Sequence, residues 1–221
     1  MECSKKIFIV AAVCLLFVTS AAATPLFTAF DSLAEGTVGS VLTDGGITFS
    51  DLDQRIPGPH GPYTFSIEST DGAQFGPLFS PPNYLKAGGY APGSGFGLGR
   101  FGSARITFEE GSAASVSIAI YSGFDATNVL TLNALRQGSV VGSATIGFSQ
   151  IVDWQTNTLS ISGVVFDELR LVGSGQQNDG TVFIGIDNVA INTVAEPTTV
   201  LPLTLGLMLL VGVRSGLSPR R

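Results

Sequence analysis

The sequence predicts an all-β protein, an antiparallel β-sandwich of the jelly-roll type, with an N-terminal signal helix and a short C-terminal membrane helix. The first observation is a period-two alternation of apolar and small polar residues, clearest from Ser115 to Tyr121. The second is that the central region has no long apolar pattern with the 3.6-residue period of a helix. The third is an apolar segment at each end of the 221-residue chain.

Strand-like runs recur through the central region, and turn-forming residues separate them. Asp44–Gly46 precedes one run, Gln137 and Gly138 lie between two others, and Asn178–Gly180 precedes the last. Because no helical segment intervenes, an antiparallel sandwich is favoured over a parallel sheet. The predicted strands are Gly46–Phe49, Tyr63–Ile67, Ala104–Phe108, Ser115–Tyr121, Val129–Leu135, Val140–Phe148, Thr158–Ser162, Val165–Val172 and Val182–Ile191.

The N-terminus has the pattern of a secretory signal peptide. Lys5 and Lys6 precede an uninterrupted apolar run, Ile7–Val18, which is too short to span a bilayer comfortably. Small residues follow, and we expect signal peptidase to recognise Ala21 and Ala23 and to cleave after Ala23. Residues 1–23 would then be absent from the mature protein. The alternative is a retained N-terminal anchor.

The C-terminus carries a second apolar segment, Val200–Val213, which ends at Arg214 and is followed by Arg220 and Arg221. Arginines at this position hold the end of a membrane helix in the cytoplasm. At about 1.5 Å per residue, a helix of this length reaches about 21 Å into a hydrocarbon core of about 30 Å. Such a short span is better suited to a transient signal than to a lasting anchor.

The whole tail resembles the PEP-CTERM sorting signal. The residues that carry the resemblance are Glu196 and Pro197, the Thr-rich spacer after them, the apolar segment with Gly206 and Gly212, and the terminal arginines. Ala195 stands where the family usually has its first proline. The resemblance implies that a membrane-embedded exosortase recognises Glu196 and Pro197 and processes the tail, while Arg214, Arg220 and Arg221 set its topology. An ordinary unprocessed anchor is the alternative.

These signals divide the chain into a signal peptide at residues 1–23, an exported domain at 24–193 and a sorting tail at 194–221. We expect export across the inner membrane, transient anchoring through the tail, and release to the cell surface or the extracellular matrix.

Charge and composition exclude several functions for the exported region. Sixteen acidic and six basic residues lie between Thr24 and Pro197, a net charge of −10, and this excludes a nucleic-acid binder. Both cysteines, Cys3 and Cys14, lie in the leader, so the mature protein has no disulfide. His60 is the only histidine and lies in a Pro/Gly-rich turn, where a general base would lack a rigid support.

The stretch from Pro57 to Gly102 interrupts the strand pattern, because it holds 11 of the 28 glycines and 7 of the 11 prolines. We expect long surface loops there, and surface loops commonly carry binding residues. Tyr63, Tyr84 and Tyr90 are candidates for stacking on a sugar. The alternative is that the aromatic rings of this stretch fill the open end of the sandwich.

A structural calcium ion is the one cofactor that the sequence suggests. Asp31 and Glu35 open the exported region and Asp187 closes it, and the first and last strands of a jelly roll commonly pair. Carboxylates brought together there would supply hard oxygen ligands. This arrangement loosely resembles carbohydrate-binding jelly rolls with a calcium ion beside the terminal strands. The alternative is that Asp187 and Asn188 form local hydrogen bonds at a strand end.

No catalytic set can be assembled from these residues. Glu109 and Glu110 are adjacent, so on a strand they point to opposite faces and cannot act together. Trp154, the only tryptophan, is expected in the core. We therefore expect a non-enzymatic exported protein with a structural or adhesive role. The alternative is a secreted carbohydrate-binding module with a structural calcium, which would take an extracellular polysaccharide as its partner.

Overall fold

The computed structural model describes residues 25–56, 64–70, 76–88, 100–109, 111–122, 128–148, 155–174 and 183–194. All of them belong to one compact unit, Ala23–Val194. This part of the chain forms thirteen strands and a single-turn 3-10 helix, Gly76–Leu78. The strands are β1 Pro25–Thr28, β2 Gly36–Gly39, β3 Leu42–Asp44, β4 Ile47–Ile56, β5 Phe65–Ser69, β6 Asn83–Gly88, β7 Arg100–Phe108, β8 Ala113–Ser122, β9 Asn128–Arg136, β10 Ser139–Phe148, β11 Gln155–Phe166, β12 Glu168–Ser174 and β13 Phe183–Thr193.

The strands form two antiparallel sheets, which confirms the predicted β-sandwich. The seven-stranded sheet has the order β11-β8-β13-β6-β5-β2, and β1 also pairs with β13. The six-stranded sheet has the order β10-β9-β12-β7-β4-β3. From β6 to β13 every connection except the β9–β10 hairpin passes from one sheet to the other, as in a jelly roll.

The core lies between the sheets and is built from the apolar residues that alternate along each strand. Phe49 of β4 packs against Phe30 and Phe65, with ring centroids 5.5 Å and 6.4 Å away. On the neighbouring strand β7, Phe108 meets Phe166 of β11 edge to face at 5.9 Å. Tilted and edge-to-face pairs of this kind are the arrangements that aromatic quadrupoles favour. Both ring contacts join the two sheets, because β4 and β7 belong to one sheet and β5 and β11 to the other.

Strand β6 corrects one prediction from the sequence. It lies inside the stretch from Pro57 to Gly102, which we predicted to be loops apart from a strand at Tyr63–Ile67. Between the prolines and glycines, Leu85 and Ala87 alternate with larger polar residues and are fully buried. Because β6 pairs with both β5 and β13, it is an inner strand of its sheet. Burial at this inner position outweighs the preference of the nearby prolines and glycines for loops.

Both predicted terminal helices lie outside the described residues, together with Ala21, Ala23, Glu196, Pro197, Arg214, Arg220 and Arg221. Within the described ranges there is no helix with the length and apolar character needed to cross a membrane. Trp154 and His60 also lie outside the described residues.

Candidate functional site

The three tyrosines predicted to stack on a sugar do not form a described platform. Tyr63 and Tyr90 lie outside the described residues. Tyr84 is 3% exposed, which corrects the expectation that it offers its ring to a ligand. Its ring packs edge to face against Phe79 at 5.9 Å. These two rings pack against each other over the seven-stranded sheet, and no described contact places them at the open end of the sandwich that the alternative interpretation named.

The hydroxyl of Tyr84 belongs to a small polar network on neighbouring strands. It donates to Oε2 of Glu68 on β5 at 3.2 Å, while Nζ of Lys86 donates to Oε1 of the same carboxylate at 2.6 Å. Tyr84 and Lys86 are two positions apart on β6, so they share one face of the strand. Glu68 is thus held by two donors, and this network stabilises the β5–β6 pair.

Asp187 is the most deeply buried charged group of the described residues. It lies on β13 between Ile186, which faces the core, and Asn188, whose positive φ of 46° marks an irregularity in the pairing with β8. Its side chain is fully buried because the segment at Leu78 and Ser80 covers it. A strand residue that would otherwise face solvent is therefore enclosed by a segment more than 100 positions away in sequence.

Three hydrogen bonds hold the covering segment on β13, and a fourth lies within β13 itself. The backbone N–H and the hydroxyl of Ser80 donate to Oδ2 of Asp187 at 2.7 Å and 3.3 Å. The backbone N–H of Asn188 donates to Oδ1 of Asp187 at 2.7 Å, and its side-chain amide donates to the carbonyl of Leu78 at 2.8 Å. Backbone donors satisfy both carboxylate oxygens, so burial of this group is compensated in part.

Burial raises the pKa of the Asp187 carboxyl from 3.8 to about 7, and the charge of Asp31 acts in the same direction. The hydrogen bonds from Asn188 and Ser80 act in the opposite direction because they favour the ionised form. Burial outweighs them. Near neutral pH the carboxyl of Asp187 is therefore poised between its two protonation states.

Asp31 lies near Asp187, close enough for its charge to act on that carboxyl. Asp31 follows β1, which pairs with β13, and its Oδ1 accepts a hydrogen bond of 3.5 Å from the backbone N–H of Asn83. The Asn83 amide in turn donates to the carbonyl of Leu33 at 2.7 Å. Two carboxylates and backbone carbonyls are the hard oxygen donors that calcium prefers. The described partners of these two carboxylates are N–H and O–H donors.

Glu35 does not complete that set. It is exposed, and within the described ranges no three His, Cys, Asp or Glu side chains form a group able to hold a metal ion. Of the local hydrogen bonds offered above as the alternative to calcium, one is present, from the backbone N–H of Asn188 to Asp187, and it lies within β13 and not at a strand end. A cation at this position would therefore rely on Asp31, Asp187 and backbone oxygens.

The outer face of the six-stranded sheet is the open polar surface of the sandwich. One row of side chains crosses five adjacent strands, because register places the members opposite one another from β4 to β10. The row is Ser50, Arg105, Arg170, Asn133 and Ser143. With strands about 4.8 Å apart, it spans about 19 Å.

Alternation explains why this row faces solvent. Arg105 lies between Ala104 and Ile106, and Arg170 lies between Leu169 and Leu171, and all four apolar neighbours are fully buried. The side chains of Arg105 and Arg170 are 40% and 49% exposed. A second row lies beside it and is polar on three of its four strands, with Ser103, Thr131 and Thr145, while Val172 occupies the position on β12.

Glu168 holds the two arginines in place. Register sets Arg105 and Arg170 directly opposite each other, a like-charge arrangement that destabilises a sheet unless a counter-charge is near. One oxygen of Glu168 lies 2.8 Å from Arg105 and the other lies 3.6 Å from Arg170. Asp51 adds a weaker contact of 3.6 Å to Arg105. Both guanidinium groups are thus positioned while remaining open to solvent.

One donor of this cluster remains unused. Nε of Arg105 is buried and has no hydrogen-bond partner in the described part of the chain. Farther along the row, the hydroxyl of Ser143 donates to Asn133 at 2.7 Å, and Thr131 and Thr145 share a hydrogen bond of 3.2 Å. The face is therefore a flat array of ordered donors and acceptors.

This row was missed in the sequence. Each arginine could have been recognised as an outward residue from the alternation around it, as in the run Leu169, Arg170 and Leu171. Nothing local shows that β7 and β12 are neighbours, because they are more than 60 positions apart. The row exists only through strand order.

No family model matches this chain, and no curated protein matches it either. Among solved structures, it is similar to a cleaved adhesin domain of Lys-gingipain from Porphyromonas gingivalis, with 13% identity, coverage of 77% of this chain and 98% of that chain, and a TM-score of 0.45. It is also similar to a family 29 carbohydrate-binding module from Piromyces equi, with 13% identity, coverage of 78% and 92%, and a TM-score of 0.37. The xylan-binding domain CBM22-1 of Xyn10C from Paenibacillus barcinonensis shows 11% identity, coverage of 80% and 99%, and a TM-score of 0.36. A function for this chain therefore has to come from its own side chains.

Proposed function

We propose that this protein is an exported carbohydrate-binding β-sandwich, and that an extracellular polysaccharide lies along the outer face of its six-stranded sheet. The observation that carries the proposal is the polar row from Ser50 to Ser143 through Arg105, Arg170 and Asn133. The protein acts by holding its ligand, which suits an adhesive component of the cell surface or matrix.

The chemistry of the row matches that of a sugar chain. Hydroxyl groups both donate and accept, and they are best recognised by amides, hydroxyls, guanidinium groups and carboxylates in fixed positions. Glu168 orders both arginines before any ligand arrives, so less side-chain entropy is lost on binding. Because the row runs across strands and extends about 19 Å, it favours an extended chain over a monosaccharide.

The two faces of the sandwich differ in a way that supports this choice. On the seven-stranded sheet, the segment from Leu78 to Ser80 covers Asp187, and Phe79 covers Tyr84. On the six-stranded sheet, Arg105 and Arg170 stay substantially exposed. An extended ligand therefore meets less obstruction on the six-stranded sheet.

Export and tail processing form the second part of the proposal. The signal peptide before Thr24 and the exosortase-type signal at Glu196 and Pro197 would bring the sandwich to the cell surface, where a polysaccharide is available. Their support is the sequence pattern at the two ends of the chain.

Calcium is the third part. We propose that a calcium ion is held by Asp31 and Asp187 together with nearby backbone carbonyls, and that it ties the β1 end of the chain to β13. Its role would be structural, because the cluster lies on the other sheet from the polar row.

Binding of purified protein to an array of bacterial and plant polysaccharides tests the proposed function. Arg170→Ala should weaken binding at least about tenfold, because a hydrogen bond to a charged group contributes roughly 1.5–3 kcal/mol. Arg136→Ala is the matched control, since it removes the same charge at the exposed end of β9 outside the row. Tyr84→Phe should leave binding unchanged because that ring is buried.

Three results would contradict the proposal. They are no binding to any polysaccharide on the array, equal losses for Arg170→Ala and Arg136→Ala, and release of reducing sugar from a bound polysaccharide, which would indicate a hydrolase.

A further inference from the structure

Charge is distributed very unevenly over the sandwich. The exported region has a net charge of −10, yet β8, β9, β10 and β11 contain only one charged residue, Arg136. These four strands are neighbours in space as well as in sequence. In the seven-stranded sheet β11 and β8 lie side by side at one end of the order, and in the six-stranded sheet β10 and β9 do the same. The strands on this side of the sandwich, called here the uncharged side, thus carry a single charge. The carboxylate of Asp167 lies at its margin, where Oδ2 accepts a hydrogen bond of 2.9 Å from the backbone N–H of Gln137.

The two sheets also end in very different strands. On the uncharged side the outermost strands are β10, with 10 residues, and β11, with 12. On the opposite side they are β2, with four residues, and β3, with three. Short edge strands are a common protection against pairing with another chain. The opposite side has that protection and the uncharged side does not.

Strand β10 lacks the other usual protections as well. It contains no proline, lysine or other charged residue over its whole length. Val140 and Val141 are 58% and 39% exposed on it, although both are large and apolar. Behind the strand, the space beside Gly142 is filled by Ile161 and Val164 of β11, so the core is closed at this point. Within the described ranges β9 is the only strand that pairs with β10, so the other edge of β10 has no strand partner there.

We propose that β10 is a self-association edge, on which the β10 strand of a second copy of this chain pairs antiparallel about a two-fold axis. The same strand on two copies is self-complementary in such a pair, because a two-fold interface brings one surface against itself. Self-pairing also explains the charge distribution. Two molecules of net charge −10 repel each other, and the uncharged side is where they approach at least cost.

This pairing has a structural consequence. It joins two six-stranded sheets into one continuous twelve-stranded sheet, since β10 is the outermost strand of each. The polar rows of both copies then lie on one surface. A polymer that reaches both rows would be held more tightly than by either alone, although the association itself does not depend on any ligand.

Sedimentation velocity of the exported protein, purified from the cells that make it and free of polysaccharide, tests this inference. We expect a dimer that dissociates on dilution. Replacing both exposed valines, Val140→Lys and Val141→Lys, should raise the dimer dissociation constant at least about tenfold, because charge on an edge strand blocks pairing. Val41→Lys is the matched control. It is 53% exposed between β2 and β3 on the opposite side, and it should leave the constant within about twofold.

Salt provides a second test. Because the strand pairing is neutral and the rest of the molecule is acidic, raising the salt concentration should screen repulsion and strengthen the dimer. Circular dichroism and the melting temperature show whether the lysine variants fold like the wild type. A protein that stays monomeric at every concentration, a dimer weakened equally by Val41→Lys, or a dimer that dissociates with added salt would each overturn the inference. None of these outcomes bears on polysaccharide binding, which monomers also carry out.

Discussion

The backbone N–H of Ser80 donates a hydrogen bond of 2.7 Å to the carboxylate of Asp187, across 107 positions of sequence. This bond encloses an acidic side chain on the outer side of β13 beneath a short segment that begins with the 3-10 helix Gly76–Leu78. Because the folded chain encloses Asp187, the pKa of its carboxyl is shifted only while the protein is folded. This shift connects the stability of the sandwich to pH and to any cation that binds beside Asp31.

The free energy of unfolding should fall as the pH rises from about 4 to about 7. Folding raises the pKa of Asp187 from 3.8 to about 7, so the folded state binds more protons in this range than the unfolded state. The stabilising contribution of Asp187 to the free energy of unfolding is fully present below pH 3.8 and is lost as the pH rises through about 7. The loss is about 4 kcal/mol at most.

Urea unfolding at several pH values measures this effect, and Asp187→Asn isolates it. The asparagine has no ionisable group, so the difference between wild type and variant should change with pH over that interval. A difference that is constant from pH 4 to pH 7 would show that Asp187 titrates normally.

Added calcium should restore the stability that the protein loses as the pH rises toward 7. A cation between Asp31 and Asp187 favours their ionised forms, so added calcium should raise the melting temperature most at and above pH 7. A ligand at 100 times its dissociation constant stabilises a protein by about 2.7 kcal/mol. Thermal melts with calcium, with magnesium and with a chelator provide the measurement, and magnesium should stabilise less because it demands a more rigid geometry.

Two variants locate the cation. Asp31→Asn should remove the calcium response, whereas Glu35→Gln should keep it, because Glu35 is exposed and does not join a group of three carboxylates. A melting temperature that changes with neither calcium nor chelator would contradict the binding of calcium at this position.

Gly45→Ala should destabilise the protein more than Gly138→Ala. Both glycines have positive φ, 55° and 77°, so alanine costs about 1–2 kcal/mol of backbone strain at either position. At Gly45 the new Cβ would also lie 2.1 Å from the carbonyl oxygen of Phe27, whereas at Gly138 there is nothing within 4 Å. Chemical denaturation of the two variants compares them directly. Equal losses would mean that β1 does not approach this turn as closely as the structure shows.

Mass spectrometry of the exported protein tests the two processing signals. The mature N-terminus should be Thr24, and the mass beyond about Pro197 should be missing. Changing Glu196 and Pro197 together to alanine should leave the tail in place and keep the protein in the membrane fraction. An intact Arg221 in the released wild-type protein would rule out removal of the tail.

The strands with the clearest alternation were predictable because the pattern is local. Ser115–Tyr121 lies within β8, and Val140–Phe148 covers most of β10. The turn at Gln137 and Gly138 was predictable for the same reason. Its two residues have φ values of 51° and 77°, which glycine adopts freely and most residues do not.

Other elements escaped prediction for physical reasons. Strands β1, β2 and β3 have only three or four residues each, too few for a period to be seen. Strand β6 lies among prolines and glycines, and its burial depends on β5 and β13 on either side. Part of the site was predictable: Asp31 and Asp187 come together because β1 and β13 pair, as expected for terminal strands. The burial of Asp187 was not, because Ser80, which covers it, lies 107 positions away in sequence.

By itself the sequence determined that this chain is built of strands, where several of its turns lie, and how acidic the region from Thr24 to Pro197 is. These properties depend on residues only a few positions apart. The tertiary structure alone decided that Arg105 and Arg170 stand side by side, that Asp187 is enclosed, and that the uncharged strands gather on one side. Strand order and register are set by packing the whole core, and no short stretch of sequence contains that information.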